Sequence, residues 1–294
     1  MAEPPAHKFG QIIGDTLEAA IEPVLRKVAQ EHGLYLDRKG RRLARKGRKV
    51  RWKDQYGNVH DLDYVLERNG TPRKIGVPVA FIESAWRRYT KHSRNKAQEI
   101  QGAILPLRET HSRVAPFVGV VLAGEFTEGS LEQFRSLGFS ILYFPYEVVI
   151  EAFARVGIDA RSTERTADAE FASKVKQWEA LSNRRKAALA QSLVMQRMDG
   201  VQEFMDRLTR AIRRQIASVR VLPLHGTPID CTSIEEAIKF IFGYDEAGNS
   251  HPVIRYEISV KYNNGDTVVA EFGDKEDGVD FLRQFQGPEL TPAS

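Results

Sequence analysis

Three acidic residues sit where ordinary surface chemistry does not readily explain them. In the segment VHDLDYVLER, strand alternation puts Asp61 and Asp63 on one face with Val59 and Val65, and Leu62, Tyr64 and Leu66 on the other. Downstream, Glu83 follows four apolar residues, Val79, Ala80, Phe81 and Ile82, in the segment VPVAFIESAWRR. A carboxylate in the middle of such a strand is costly to bury alone and requires a charged partner or a metal. If the two strands are neighbours, Asp63 and Glu83 can share one divalent cation, because hard carboxylate oxygens completed by water and a substrate phosphate are what Mg²⁺ prefers. The chemistry that follows is metal-assisted attack on a phosphodiester. Asp61 shadows Asp63 as the weaker candidate, and the plain alternative for Glu83 is an ion pair with Arg87 or Arg88.

The elements that must position these groups are legible in the periodicity. Ile12, Ile13, Leu17, Ala20, Ile21, Leu25 and Val28 recur at three- and four-residue intervals, which predicts a helix over 9–32 with Gly33 as its stop. RKGRRLARKGRKVRWK (38–53) reads as a flexible basic arm or hairpin. Strands are expected in KVRWKDQ and NVHDLDYVLER, joined by a turn at Tyr56-Gly57-Asn58, and a third strand over 77–88. A helix over 93–109 follows. PFVGVVLAGEF and FSILYFP read as buried strands, each trailed by a helix, which is the pattern of a mixed or parallel sheet covered on both faces.

The polar stretch DARSTERTADAE (159–170) reads as a linker, dividing the chain into domains 1–158 and 159–294. Residues 170–218 read as amphipathic helices. Beyond them, VIRYEISVKYNNGDTVVAEFGD predicts a hairpin turning at Asn264-Gly265, with a short helix after it. No repeat is evident along the chain.

Composition narrows the partners. The chain has 294 residues and a net charge of +4, but its first 113 residues carry an excess of Lys and Arg and the remainder an excess of Asp and Glu. A basic N-terminal half suits a polyanion, since clustered cations release counterions from phosphates. Arg45, Lys46, Arg48, Lys49, Lys91 and Arg94 are the expected nucleic-acid contacts. With one cysteine, Cys231, neither an intrachain disulfide nor a cysteine zinc site can form. Together with the absence of a secretory pattern at the N-terminus, this leads to the expectation of a cytoplasmic location. HExxH, Walker A, GxGxxG and GxSxG patterns are absent, which sets aside the chemistries they carry.

With these residues in place, the chain resembles the PD-(D/E)XK nuclease superfamily, which includes many type II restriction enzymes. The resemblance spans residues 9 to about 145. It implies an α/β fold with a restriction-endonuclease-like core (helix, three-strand meander, helix, strand), to which this chain adds a helical and small α+β C-terminal region for DNA recognition or dimerisation. It also implies Mg²⁺-dependent hydrolysis of DNA, with Mn²⁺ able to substitute. Asp63 and Glu83 take the metal-binding positions, and Glu18 the acidic position that several members carry on the first helix. The sequence departs from the motif at Ala85, where the family has lysine. Lys96 is the favoured replacement, ahead of Lys91 and Arg87. A site-specific, restriction-like endonuclease is the first expectation, acting on double-stranded DNA as a homodimer with a possible cognate methyltransferase. A repair or recombination nuclease, and an inactive nuclease-fold DNA-binding or assembly module, are the alternatives.

Overall fold

The computed structural model describes residues 4–90, 93–246 and 252–286. Two compact units are present, one comprising residues 1–111 and 116–212, the other 112–115 and 213–294. The expected boundary at 158 therefore moves to 212. The helices of 168–212 belong to the first unit because their apolar residues Phe171, Val175, Leu189, Leu193, Val201, Phe204 and Leu208 are buried in its core.

The first unit is built on a five-stranded sheet in the order β1-β4-β5-β6-β7. Its strands are β1 (Leu34–Arg38), β4 (Tyr64–Arg68), β5 (Val77–Arg87), β6 (Phe117–Gly124) and β7 (Ser140–Pro145). The β1–β4 and β4–β5 pairs are antiparallel, and β5–β6 and β6–β7 parallel. Every residue of β6 is buried, as a central strand covered on both faces should be. One face packs against α1 (Pro5–Glu31), α4 (Tyr146–Ala154), α5 (Asp168–Glu179), α6 (Asn183–Gln196) and α7 (Met198–Ile212). The other is covered by α2 (Ser93–Thr110) and α3 (Glu128–Ser136). This is the mixed α/β architecture that the alternation of elements predicts.

The first strand of the meander is not the expected one. Leu34–Arg38 fills that place, pairing Leu36 with Leu66 and Asp37 with Val65. The segments expected as the first two strands instead form a separate hairpin, β2 (Val50–Lys53) with β3 (Val59–Leu62), which turns as anticipated around Gly57. A break at Asp63 separates β3 from β4 and flips the alternation. Leu62 is buried with the α2-side core together with Val65, while Tyr64 and Leu66 enter the α1-side core. Asp61 and Asp63 consequently do not share a face.

The basic segment is not a free arm. Arg42 is buried, with its guanidinium bidentate on Glu67 at 2.6 and 2.8 Å, 2.9 Å from Asp37, and donating to the carbonyls of Thr71 and Lys74. Arg45 pairs with Asp37 alongside it. The charges are satisfied from several sides, the condition under which buried ions persist.

The second unit holds a four-stranded antiparallel sheet in the order β11-β10-β8-β9. Its elements are β8 (Ile216–Pro223), β9 (Ile229–Cys231), α8 (Ile234–Gly243), β10 (Tyr256–Tyr262), β11 (Thr267–Phe272) and α9 (Lys275–Arg283). The hairpin and terminal helix expected here are present. The strand order is that of two ββα halves joined through β8 and β10, and the sequence follows it at a constant offset. Ser218-Val219-Arg220 recurs as Ser259-Val260-Lys261, and Ser233 with Glu235-Glu236 recurs as Asp274 with Glu276-Asp277. Both helices are capped alike: Ser233 accepts from the Glu236 N–H and Asp274 from the Asp277 N–H. Val219 pairs with Val260, placing them at the centre of the two-fold relation. The chain therefore does contain an internal repeat, which conservative but non-identical replacements conceal from a direct reading of the sequence.

Candidate functional site

Asp63 and Glu83 are opposite each other where the β4–β5 ladder ends: Tyr64 pairs with Ile82, and the next step outward is this acidic pair. The Asp63 N–H donates to Glu83 Oε1 at 3.0 Å, while Asp63 Oδ2 accepts from the Ser84 N–H at 2.8 Å and from Ser84 Oγ at 2.9 Å. Each carboxylate is thus fixed by the other strand's backbone. Glu83 is 8% exposed. Burial pushes its carboxyl well above the usual range, and the neighbouring Asp63 charge raises it further, while Lys96 pulls it down.

Two further elements converge on the pair. Glu18 lies on α1, whose position against the strand is fixed by Tyr64 Oη donating to the Glu18 carbonyl at 3.1 Å. Burial and the charge of Asp63 push the Glu18 carboxyl up to about 7. On the opposite side, Lys96 comes from the first turns of α2, largely buried, with its ammonium 2.5 Å from Glu99. Of the four residues that the sequence singles out as catalytic, Asp63 and Glu83 are in contact, and Glu18 on α1 and Lys96 on α2 lie near enough for their charges to act on that pair.

Ala85, where a lysine would stand in the motif, is packed into the α2-side core among Phe81, Ala97 and Ile100. A lysine there would have to lift its ammonium out of an apolar cluster, whereas Lys96, on the covering helix, acts on Glu83 through its charge. Arg87 sits further along β5, donating to the Trp86 carbonyl and 3.9 Å from Glu99.

Other expected residues are placed elsewhere. Asp61 is exposed on the β2–β3 hairpin, held by Lys49 at 2.5 Å and Arg51 at 2.9 Å, whose charges keep its carboxyl below the ordinary range. Of the expected nucleic-acid contacts, Lys46, Arg48, Lys49 and Arg94 are exposed. Arg45 turns inward onto Asp37, and Lys91 lies outside the described residues. Sequence reading missed Ser84, whose only signal was its place directly after Glu83.

The donor set suits a hard divalent cation. The Asp63 charge is unfavourable to the Glu83 carboxylate, and a cation between the two would relieve that repulsion. Among the described residues, no three His, Cys, Asp or Glu side chains form a ready-made metal group. Asp63 and Glu83 would then be the ligands, with the remaining positions filled by water and substrate. Among the described residues, no helix is long and apolar enough to cross a membrane.

No family model and no curated protein matches the chain. It is similar to one solved structure, "Crystal Structure of Protein of Unknown Function AF1548", at 12% sequence identity and a TM-score of 0.29, with 67% of this chain and 97% of that chain covered.

Proposed function

We propose that the first unit is a metal-dependent phosphodiesterase of the PD-(D/E)XK type that cleaves DNA endonucleolytically. The observation that carries this reading is the convergence of Glu18, Asp63, Glu83 and Lys96 at the open end of the β4–β5 ladder.

Asp63 and Glu83 would hold Mg²⁺ or Mn²⁺, which when bound polarises the scissile phosphate and lowers the pKa of its water. The protein's own groups do the rest. Ser84 orients the Asp63 carboxylate through two hydrogen bonds. Lys96 supplies a positive charge on the α2 side, where it orients the attacking water and offsets charge building on the phosphate oxygens. Its ion pair with Glu99 keeps the ammonium in place until substrate arrives. Glu18, with a carboxyl near 7, accepts a proton at its side-chain oxygen close to neutral pH. A homodimer would bring two such sites together, one for each strand.

The test is incubation of supercoiled plasmid with the protein and Mg²⁺ or Mn²⁺, beside D63A, E83A and K96A. Cleavage by the unmutated chain that disappears in D63A and E83A is the expected result. Cleavage surviving both substitutions overturns the site. Ala85 favours a second reading, a DNA-binding module of the same fold that does not cut; tight DNA binding without cleavage on plasmid, nicked and branched substrates would select it. Discrete fragments would point to a restriction-like enzyme, and dependence on junctions or ends to repair or recombination.

A further inference from the structure

A groove of about 750 Å³ runs between the N-terminal half of α1, the end of β5 and the start of α2. It adjoins the proposed cutting site, since Ser84, which holds the Asp63 carboxylate, and Lys96 both line it. We propose that this groove holds a single strand of DNA, its sugar-phosphate backbone lying against Gly10 and Gly14 and its phosphates facing Arg87, Arg88 and Lys96. The inference rests on the nuclease reading and adds to it the strand form of the substrate.

Charge is the first argument. Arg87, Arg88 and Lys96 face one groove in which Glu99 is the acidic residue among the described lining residues. Glu99 is engaged by Lys96 at 2.5 Å, which leaves Arg87 only a loose contact with it at 3.9 Å. The Arg88 guanidinium lies over the rings of Tyr89 and Phe171, at 4.7 and 4.6 Å, and its Nε is buried without a hydrogen-bond partner. Arg87, only loosely engaged by Glu99, has donors to offer a phosphate, and Arg88 adds its positive charge.

Size and surface select a single strand over a duplex. The volume falls within the roughly 300–1,000 Å³ of small-ligand clefts, room for a short stretch of one strand. Trp86 and Tyr89 also line the groove, and aromatics interleaved with cations are the means by which proteins hold single strands.

The glycines supply an independent argument. Gly10 and Gly14 lie one turn apart in α1 and line the groove. A helical glycine destabilises its helix relative to alanine. Nothing among the described residues requires either one, since a Cβ at each position would meet no atom beyond its own stretch of helix within 4 Å. A backbone approaching from outside the chain would require both.

The experiment measures anisotropy of a fluorescein-labelled oligothymidylate 20-mer and of a labelled duplex of equal length, in EDTA so that nothing is cut. Substitutions G10L/G14L fill the groove with better helix formers, R87Q/R88Q removes its cations, and G102L alters an exposed helical glycine of α2 outside the groove lining. We expect G10L/G14L and R87Q/R88Q each to weaken single-strand binding at least tenfold, G102L to leave it within twofold, and G10L/G14L to melt no lower than the unmutated chain. Single-strand binding within twofold of the unmutated chain in G10L/G14L, or groove substitutions that weaken only the duplex, would overturn the proposal. Because binding is read without metal, binding that does not depend on the groove and an absence of cleavage by the unmutated chain are separate results: the first refutes this inference, the second the nuclease reading.

Discussion

Asp63 and Glu83 hold each other in place through the backbone: the Asp63 N–H donates to the Glu83 carboxylate, and the N–H of Ser84, the residue after Glu83, donates to the Asp63 carboxylate. Two acidic side chains are thereby fixed side by side at the end of a ladder, against their mutual repulsion. A merely structural carboxylate would stabilise the fold. A preorganised metal site costs stability until it is filled.

The substitution E83Q separates these roles. Glutamine retains an oxygen to accept from the Asp63 N–H and removes a buried charge next to Asp63. The metal-free protein should therefore melt at the same temperature or higher, while cleavage falls by roughly 100-fold or more. A melting temperature several degrees lower would show instead that Glu83 serves the fold as a charged group.

Glu18 gives the site a pH signature. Its carboxyl is raised from 4.5 to about 7 by burial and by Asp63, so the folded protein favours the neutral form. That contribution is fully present below the unfolded value and is lost as pH rises through about 7. Urea denaturation in EDTA should therefore show stability declining between about pH 4.5 and 7, by on the order of 2 kcal/mol after discounting for solvent screening. E18Q should reduce this slope, the Glu83 carboxyl, which burial also raises, supplying the remainder; an unchanged slope would refute the assignment.

How much of this was legible in sequence follows from what each signal measures. Glu83 was readable because an apolar strand makes a lone carboxylate conspicuous. Glu18 and Lys96 follow helical periodicity that any surface residue satisfies, so only the resemblance pointed to them. Strand β1 escaped notice because Leu34–Arg38 is short and adjoins a basic run that reads as a flexible arm. The same run concealed Arg42 and Arg45, since composition cannot reveal that Asp37 and Glu67 wait inside to receive them. The break at Asp63 leaves no trace in the alternation VHDLDYVL, and only the divergence of the hairpin from the sheet exposes it.

The Arg42 network should prove essential to the fold. R42A leaves Glu67 buried with no cation on it and should cost about 3–5 kcal/mol by urea denaturation. R42L/E67L, which removes both charges, should cost less than R42A alone. If the double substitution is the more damaging of the two, the network stabilises as an ion pair and not merely as a satisfied one.

Ser84 provides the finest test of how the site is oriented. Its hydroxyl, 2.9 Å from Asp63 Oδ2, touches neither Glu83 nor Lys96 by hydrogen bond, so it acts on the site only through Asp63. S84A preserves the backbone N–H bond to the same oxygen and removes the second anchor. A carboxylate with one anchor samples more rotamers, and loss of such an outer contact to a metal ligand typically weakens metal affinity about 10–100-fold. S84A should therefore require a correspondingly higher Mg²⁺ concentration for half-maximal plasmid cleavage, approach the unmutated rate at saturating metal, and leave the melting temperature in EDTA unchanged. S84T, which restores the hydroxyl on a residue suited to a strand, should recover the original metal dependence. A rate lowered equally at every metal concentration would place Ser84 in the chemical step itself and not in the positioning of Asp63.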